Sequence, residues 1–140
     1  MSDKPLYQGF LGEWILDPDS CEYEQGEPPV TGYYAIHQNG EELEFKMAWV
    51  DTEGEQHAHS FRCKPDGHQY KFAGGDLADA ISVTATSENT LDSSAFYRDQ
   101  ERMMAYRTLV NGGTEMEVVQ KVNLPGGGAP SNFARYVRKH

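Results

Sequence analysis

The stretch Glu42-Leu43-Glu44-Phe45-Lys46-Met47-Ala48-Trp49-Val50 carries the clearest pattern in the sequence. Successive side chains of a β-strand point to opposite faces of the sheet. The four alternate positions Leu43, Phe45, Met47 and Trp49 therefore share one face, opposite Glu42, Glu44 and Lys46. This alternation predicts a half-buried strand whose apolar face points inward. Asn39-Gly40, just before it, is typical of a tight hairpin turn.

Short runs rich in Val, Ile, Thr, Tyr and Phe continue on both sides of this stretch, separated by turn signals that contain Gly, Asn or Asp. We predict about ten strands, near residues 10–16, 31–38, 42–50, 55–64, 68–73, 80–87, 90–98, 102–110, 114–122 and 132–139. Spacings this short leave no room for the crossovers that parallel strands need. The expected fold class is therefore all-β, a single antiparallel up-and-down β-barrel over residues 1–140. Residues 1–8 are expected to form an N-terminal tail and residues 17–30 a long connection rather than a strand.

Composition narrows the possible partners. The chain has 140 residues and a formal net charge of -10, from 22 acidic and 12 basic residues. Such a surface repels polyanions, so we expect no nucleic-acid partner and no membrane partner. The two cysteines form neither a disulfide framework nor a four-ligand zinc site. The start of the chain lacks an apolar signal core, so we expect a cytoplasmic protein. We expect it to be either a monomer or a homodimer.

The same alternation assigns the inner faces of the other strands. In the fourth strand His57, His59, Phe61 and Cys63 share one face, and in the fifth His68, Tyr70 and Phe72 do. The eighth strand stays ambiguous, because Met103, Arg107 and Leu109 on one face and Met104, Tyr106 and Val110 on the other are equally plausible as the inner set.

The tripeptide Gly12-Glu13-Trp14 resembles the first-strand Gly-x-Trp of the calycins, the superfamily of lipocalins and fatty-acid-binding proteins. The longer stretch 12–18, followed by Tyr23 and Pro28-Pro29, resembles a narrower group of uncharacterised bacterial lipocalin-like proteins. Further matches extend this resemblance to nearly the whole chain, ending at Asn132, Ala134 and Tyr136. The resemblance implies a calycin-like barrel in which Gly12 and Trp14 form the floor.

The resemblance implies no activity, because the narrower group has none assigned. Fatty-acid-binding proteins carry an Arg-x-Tyr in the last strand that grips a carboxylate. Here the residue two positions before Tyr136 is Ala134, and Arg135 falls on the opposite face. The resemblance therefore does not extend to this carboxylate clamp.

The pair His57-x-His59 is the most chemically suggestive feature of the sequence. Two residues apart on a strand, the imidazoles share one face, as two metal ligands or an acid and a base would. They also fit a barrel mouth where both are simply hydrated. His68 and Cys63 are the plausible further ligands, but neither lies at a recognised metal-site spacing, so we expect no metal and no other cofactor.

Three functional hypotheses follow. In the first, the protein binds a small apolar or aromatic molecule in the barrel cavity. The ligand-binding residues would be Phe45, Met47, Trp49, His57, His59, Phe61, Tyr70, Phe72, Arg107 and Tyr136. In the second, the barrel is a small enzyme of the isomerase, cyclase or lyase type that uses His57, His59 or Tyr70 as acid or base. In the third, the interior is filled and the barrel serves protein contacts only.

Overall fold

A computed structural model describes residues 6–71, 78–124 and 126–139. The described part contains ten strands and two short 3-10 helices. The helices are Leu6–Phe10 and Asn111–Gly113, and the strands are β1 (Gly12–Tyr23), β2 (Thr31–Asn39), β3 (Glu42–Val50), β4 (Gln56–Cys63), β5 (Tyr70–Lys71), β6 (Ala80–Ser87), β7 (Thr90–Tyr97), β8 (Gln100–Val110), β9 (Glu115–Val122) and β10 (Ser131–Arg138). No helix in these ranges is long and apolar enough to cross a membrane.

The ten strands form one antiparallel sheet in the order β4-β3-β2-β1-β10-β9-β8-β7-β6-β5. Strands that follow one another in the chain pair with each other except β4 and β5, which form the two edges of the sheet, and β1 also pairs with β10, which curls the sheet into a nearly closed barrel. Beside the seam between β4 and β5, Asp66 forms an isolated bridge to Thr84 of β6, and the Gly67 N–H donates to the Val83 carbonyl over 2.9 Å. The predicted all-β barrel of ten antiparallel strands is confirmed.

Strand β1 corrects one expectation. Residues 17–30 are not all connection, because β1 continues through Pro18 to Tyr23. The register against β10 shifts between Asp17 and Glu22, as in an extended bulge. Across this shift the Ser20 hydroxyl accepts a hydrogen bond from the Arg135 N–H over 2.8 Å and donates one to the Asp17 carbonyl over 2.6 Å. A side-chain hydroxyl thus replaces backbone pairing where proline and the bulge interrupt the ladder.

The N-terminal segment corrects a second expectation. Leu6–Phe10, assigned in part to a tail, forms a 3-10 helix, and Phe10 is fully buried. The Phe10 carbonyl accepts a hydrogen bond from Trp14 Nε1 over 3.1 Å, and the Arg138 guanidinium lies 4.2 Å from the centre of the Trp14 ring system. Gly12 has a φ of 128°, and a Cβ there would lie 2.9 Å from the Arg138 guanidinium. Gly12 is therefore required both by its backbone angle and by the close approach of Arg138.

Core packing is concentrated at one end of the barrel. We call this the packed end: it is where Trp14 lies and where the turns β2–β3, β6–β7 and β8–β9 meet. The fully buried side chains that fill it are Phe10, Trp14, Ile36, Leu43, Phe45, Cys63, Val83, Leu91 and Met116. The structure also resolves the ambiguity of β8, because Arg107 and Leu109 are buried while Tyr106 is exposed. The turns β1–β2, β3–β4, β7–β8 and β9–β10 surround the opposite end, which we call the open end.

Candidate functional site

Two adjoining cavities occupy the open end. The larger has a volume of about 480 Å³ and the smaller about 360 Å³. Five side chains line both of them: Met47 and Trp49 from β3, His59 from β4, Met103 from β8 and Gln120 from β9. The two cavities therefore share one wall, made of thioethers, an indole, an imidazole and an amide, and we call them the larger and the smaller lobe. Volumes of this order suit small-molecule ligands.

Arg107 forms part of the wall of the larger cavity and is only 2% exposed. Its Nε donates to the Tyr34 hydroxyl over 2.7 Å, and its Nη1 donates to Ser93 Oγ over 3.0 Å. The guanidinium carbon lies 4.9 Å from the centre of the Phe45 ring and 5.5 Å from that of Tyr34. Neutral hydroxyls and aromatic rings thus position the guanidinium at the boundary between the packed end and the larger cavity.

Arg107 has no ion-pair partner among the described residues, although its charge opposes the rise in the pKa of Asp92 that burial causes. None of their carboxylates lies within ion-pair distance of it, and none of their acceptors takes a hydrogen bond from its Nη2. Removing a cation from water costs several kcal/mol even after relaxation, and only a close, hydrogen-bonded anion offsets much of that cost. The arrangement is chemically suited to an acceptor or anion that enters the cavity and meets Nη2.

A second polar group lies where β3 turns into β4. The His57 imidazole stacks on the Trp49 indole, with 5.4 Å between ring centres and 19° between ring planes. Its Nε2 lies 2.8 Å from Asp51 Oδ2, while Asp51 Oδ1 accepts from the backbone N–H groups of Glu53 and Glu55. The hydrogen bond with His57 is the main reason that the pKa of Asp51 falls below its usual value. An imidazole oriented by a carboxylate is a common arrangement for proton transfer.

The same turn brings a possible metal-ligand set together. One donor atom from each of Asp51, Glu55 and His57 lies within 4.8 Å of the others. The group is exposed, and its members already hydrogen-bond within the turn. The expectation that the protein holds no metal stays a prediction.

The smaller cavity is rich in phenols. Tyr23, Tyr33, Tyr34 and Tyr136 contribute to its wall. The Tyr136 ring packs edge-on against Tyr34, with 5.5 Å between ring centres. Burial is the largest cause of the raised pKa of Tyr136, followed by the neighbouring Tyr34. This phenol therefore stays protonated throughout the physiological range and offers a hydrogen-bond donor to the lobe.

The residues singled out in the sequence fall into four groups. Those in the cavity walls are Met47, Trp49, His57, His59, Phe61, Arg107 and Tyr136. Phe45 and Tyr70 instead belong to the packed core or lie against it, while Phe72 lies outside the described residues. Trp14 and Gly12 lie at the packed end, away from both cavities. The roles of all these residues, as ligand contacts or as floor residues, stay predictions.

Tyr70 is held by a turn rather than by the cavity. Its hydroxyl donates to Asp66 Oδ2 over 2.5 Å, and this bond is the largest cause that raises the pKa of Tyr70 to about 12. Asp66 Oδ1 also accepts from the His68 N–H over 3.0 Å. Nearby, burial followed by the charge of Asp66 raises the pKa of the Cys63 thiol to about 11. Tyr70 is therefore a poor general base in this conformation.

Sequence reasoning missed three residues of the site. Met103 and Gln120 line both lobes, but the phase of their strands was ambiguous or unassigned. Asp51 was assigned only to a turn. Its position four residues before Glu55 and six before His57, across a hairpin turn, is the signal that identifies it in retrospect.

No known family model matches the sequence, and no curated protein does. Several solved structures do match its fold. As-p18, an extracellular fatty acid binding protein, is 13% identical with a TM-score of 0.62, over 97% of this chain and 100% of that one. Rv2717c from M. tuberculosis is 13% identical with a TM-score of 0.59, over 98% and 99% of the two chains. The zebrafish ileal bile acid-binding protein, complexed with cholic acid, is 14% identical with a TM-score of 0.55, over 94% and 99%.

These likenesses extend over the whole barrel, and the resemblance to the calycins is confirmed at the level of the fold. At such low identity they carry no information about which ligand this chain binds.

Proposed function

We propose that this protein binds a small apolar or aromatic molecule in the two-lobed cavity, with a polar acceptor group of the ligand held by Arg107. The observation that carries the proposal is the buried guanidinium beside the larger cavity. Tyr34 and Ser93 take two of its nitrogens, and Nη2 has no acceptor among the described residues. The neighbours As-p18, a fatty acid binding protein, and the zebrafish bile acid-binding protein support a ligand-binding role for such a barrel.

The chemistry of the walls supports an apolar ligand body. Most of the lining of the larger cavity is thioether, aromatic or methyl, contributed by Met47, Trp49, Phe61, Ala95 and Met103. Desolvating an apolar ligand against such a wall contributes roughly 25 cal/mol for each Å² of apolar surface removed from water. Methionines add an adaptable lining that accommodates ligands of differing shape.

A substitution that fills the cavity tests the proposal. Met47 lines both lobes, so Met47→Trp should reduce the uptake of an uncharged, apolar fluorescent probe such as Nile red. Lys46→Trp is the matched control, because it adds the same indole one position away on the outer face of β3. Equal probe uptake by the Met47→Trp variant, the Lys46→Trp variant and the parent would contradict binding in this cavity.

The enzyme alternative is favoured by one specific observation, the Asp51–His57 pair at 2.8 Å beside the cavity. In this alternative His57 transfers a proton to or from a substrate in the larger lobe, and Asp51 orients the imidazole. Asp51→Asn would then lower the rate and change its pH profile while leaving substrate affinity nearly unchanged. Under the binding proposal, the same substitution changes neither ligand affinity nor its pH dependence by more than about twofold.

A further inference from the structure

On the side of the larger cavity formed by β3 and β4, two ring pairs flank Met47 and His59. Trp49, His57 and Phe61 line the cavity, whereas Phe45 belongs to the packed core. Phe45 and Phe61 face each other across the two strands, with 4.6 Å between ring centres and 16° between ring planes. Four residues further along β3, Trp49 and His57 repeat the arrangement at 5.4 Å and 19°. The register explains the repetition, because Phe45 pairs with Phe61 and Trp49 with His57. Stacking of this kind restricts the rotamers of the paired rings, and it presents aromatic surface to the cavity.

The guanidinium that would anchor a ligand lies against the same wall. Arg107 lies over the Phe45 ring at 4.9 Å, next to one ring pair. Across the lobe the lining changes to small or flexible side chains, with Ile81 from β6, Ala95 from β7 and Met103 from β8. The larger lobe therefore has one side rich in aromatic rings, an opposite side of small or flexible side chains and a cation at its inner boundary.

We propose that the natural ligand is a planar aromatic acid rather than an acid with a flexible alkyl chain. This inference rests on the proposed function and narrows its ligand class. A ring system laid against the β3–β4 wall meets Trp49 and Phe61 in the stacked or edge-to-face geometries that aromatic pairs prefer, and its carboxylate reaches Arg107 Nη2. An alkyl chain against the same wall gains only the free energy of burying its apolar area. It also loses the conformational freedom of many rotatable bonds on binding.

Matched ligands test this inference. Naphthoate and undecanoate contain the same number of carbon atoms and one carboxylate each, but only naphthoate is planar and rigid. Isothermal titration calorimetry should find naphthoate about 10-fold tighter, since one or two aromatic contacts contribute that much beyond buried area. Undecanoate that binds as tightly as naphthoate, or more tightly, overturns the inference and leaves the proposed function standing.

Substitutions in the β3–β4 wall test whether its rings cause the preference for naphthoate over undecanoate. Phe61→Leu and Trp49→Leu should each weaken naphthoate binding by about 3-fold to 10-fold and leave undecanoate nearly unchanged. Tyr106→Leu removes an exposed aromatic ring from the outer face of β8 and should change neither. Naphthoate affinity that is insensitive to both cavity variants overturns the inference. Failure of naphthoate to bind also overturns it, and the uptake of the fluorescent probe then decides separately whether the proposed function survives.

Discussion

Replacing Arg107 by Met separates a binding role of this side chain from a role in core stability. Methionine keeps most of the length of the arginine stem and removes the charge. The substitution deletes two hydrogen bonds, to Tyr34 over 2.7 Å and to Ser93 over 3.0 Å. Bonds from a charged group contribute about 1.5–3 kcal/mol each, so their loss alone would cost about 3–6 kcal/mol of stability.

An opposing effect of similar size acts on the same residue. Arg107 is 2% exposed, and no carboxylate of the described residues lies within ion-pair distance. The folded protein therefore carries the desolvation of a cation, several kcal/mol, without an ion pair to a described carboxylate, and Met removes that cost. The two effects nearly cancel. We expect the free energy of unfolding of the ligand-free variant to stay within about 2 kcal/mol of the parent.

Ligand binding has no such cancellation. Removing one partner of a buried charge pair costs about 2–5 kcal/mol, so the affinity for an aromatic acid should fall by at least about 30-fold. Binding of the corresponding neutral alcohol should change much less, because the apolar walls are intact. Urea unfolding followed by tryptophan fluorescence gives the stability, and titration calorimetry gives both affinities.

Leu109→Ala is the matched comparison for this experiment. Leu109 is the next inward residue on β8, 8% exposed and packed in the core. The Leu109→Ala variant should lose about 2–5 kcal/mol of stability, as is usual when a buried leucine is replaced by alanine. An Arg107→Met variant that loses as much stability as Leu109→Ala, while binding the acid as tightly as the parent, would refute the reasoning and make Arg107 a core residue.

Three further predictions test other parts of the molecule. Replacing His57 and His59 together by Gln should weaken ligand binding by about 1–3 kcal/mol if the two histidines orient the polar end of the ligand, and the melting temperature should stay within a few degrees of the parent. An unchanged ligand affinity would show that both histidines are surface residues. Because burial raises the pKa of Cys63 to about 11 and leaves it inaccessible, Ellman's reagent should modify only Cys21 in the folded protein, and slowly, since burial also raises the Cys21 pKa. The pKa of Asp66 is lowered first by the hydrogen bond from Tyr70, so its stabilising contribution is present above the ordinary aspartate value near 3.8 and is lost as pH falls through the lower folded value. Urea midpoints of the parent and of Asp66→Asn should therefore converge on acidification, and a difference that persists in acid would contradict this linkage.

The strands could be predicted from the sequence because apolar side chains alternate along each strand with a period of two residues. Leu43 and Phe45 are fully buried, and Trp49 and His57 meet because β3 and β4 are joined by a short hairpin. The end of β1 was not readable. Pro18 ordinarily argues against a strand. The backbone pairing lost near it is replaced by a hydrogen bond from the Arg135 N–H to Ser20, and these two residues lie more than a hundred positions apart in the sequence.

The candidate site was partly readable for a related reason. Met47, Trp49 and the two histidines follow from alternation alone, whereas Met103 required knowledge of which face of β8 is buried. Both faces of β8 carry large apolar side chains, so local pattern could not choose between them. Pairing with β7 and β9 decides the choice, and it places Arg107 and Leu109 inside.

The position of Arg107 explains how one barrel can be both stable and hollow. The packed end, filled by side chains such as Trp14, Leu91 and Met116, supplies apolar burial that does not depend on a ligand. The open end then needs no packed core of its own and can keep two lobes. Arg107 lies at the boundary, where Tyr34 and Ser93 hold its guanidinium in one orientation. Positioning before binding reduces the side-chain ordering cost that a ligand would otherwise offset. Under the proposed function, a cation fixed in this way would stabilise an acid in the cavity more than it stabilises the empty fold, which is the property expected of a binding residue.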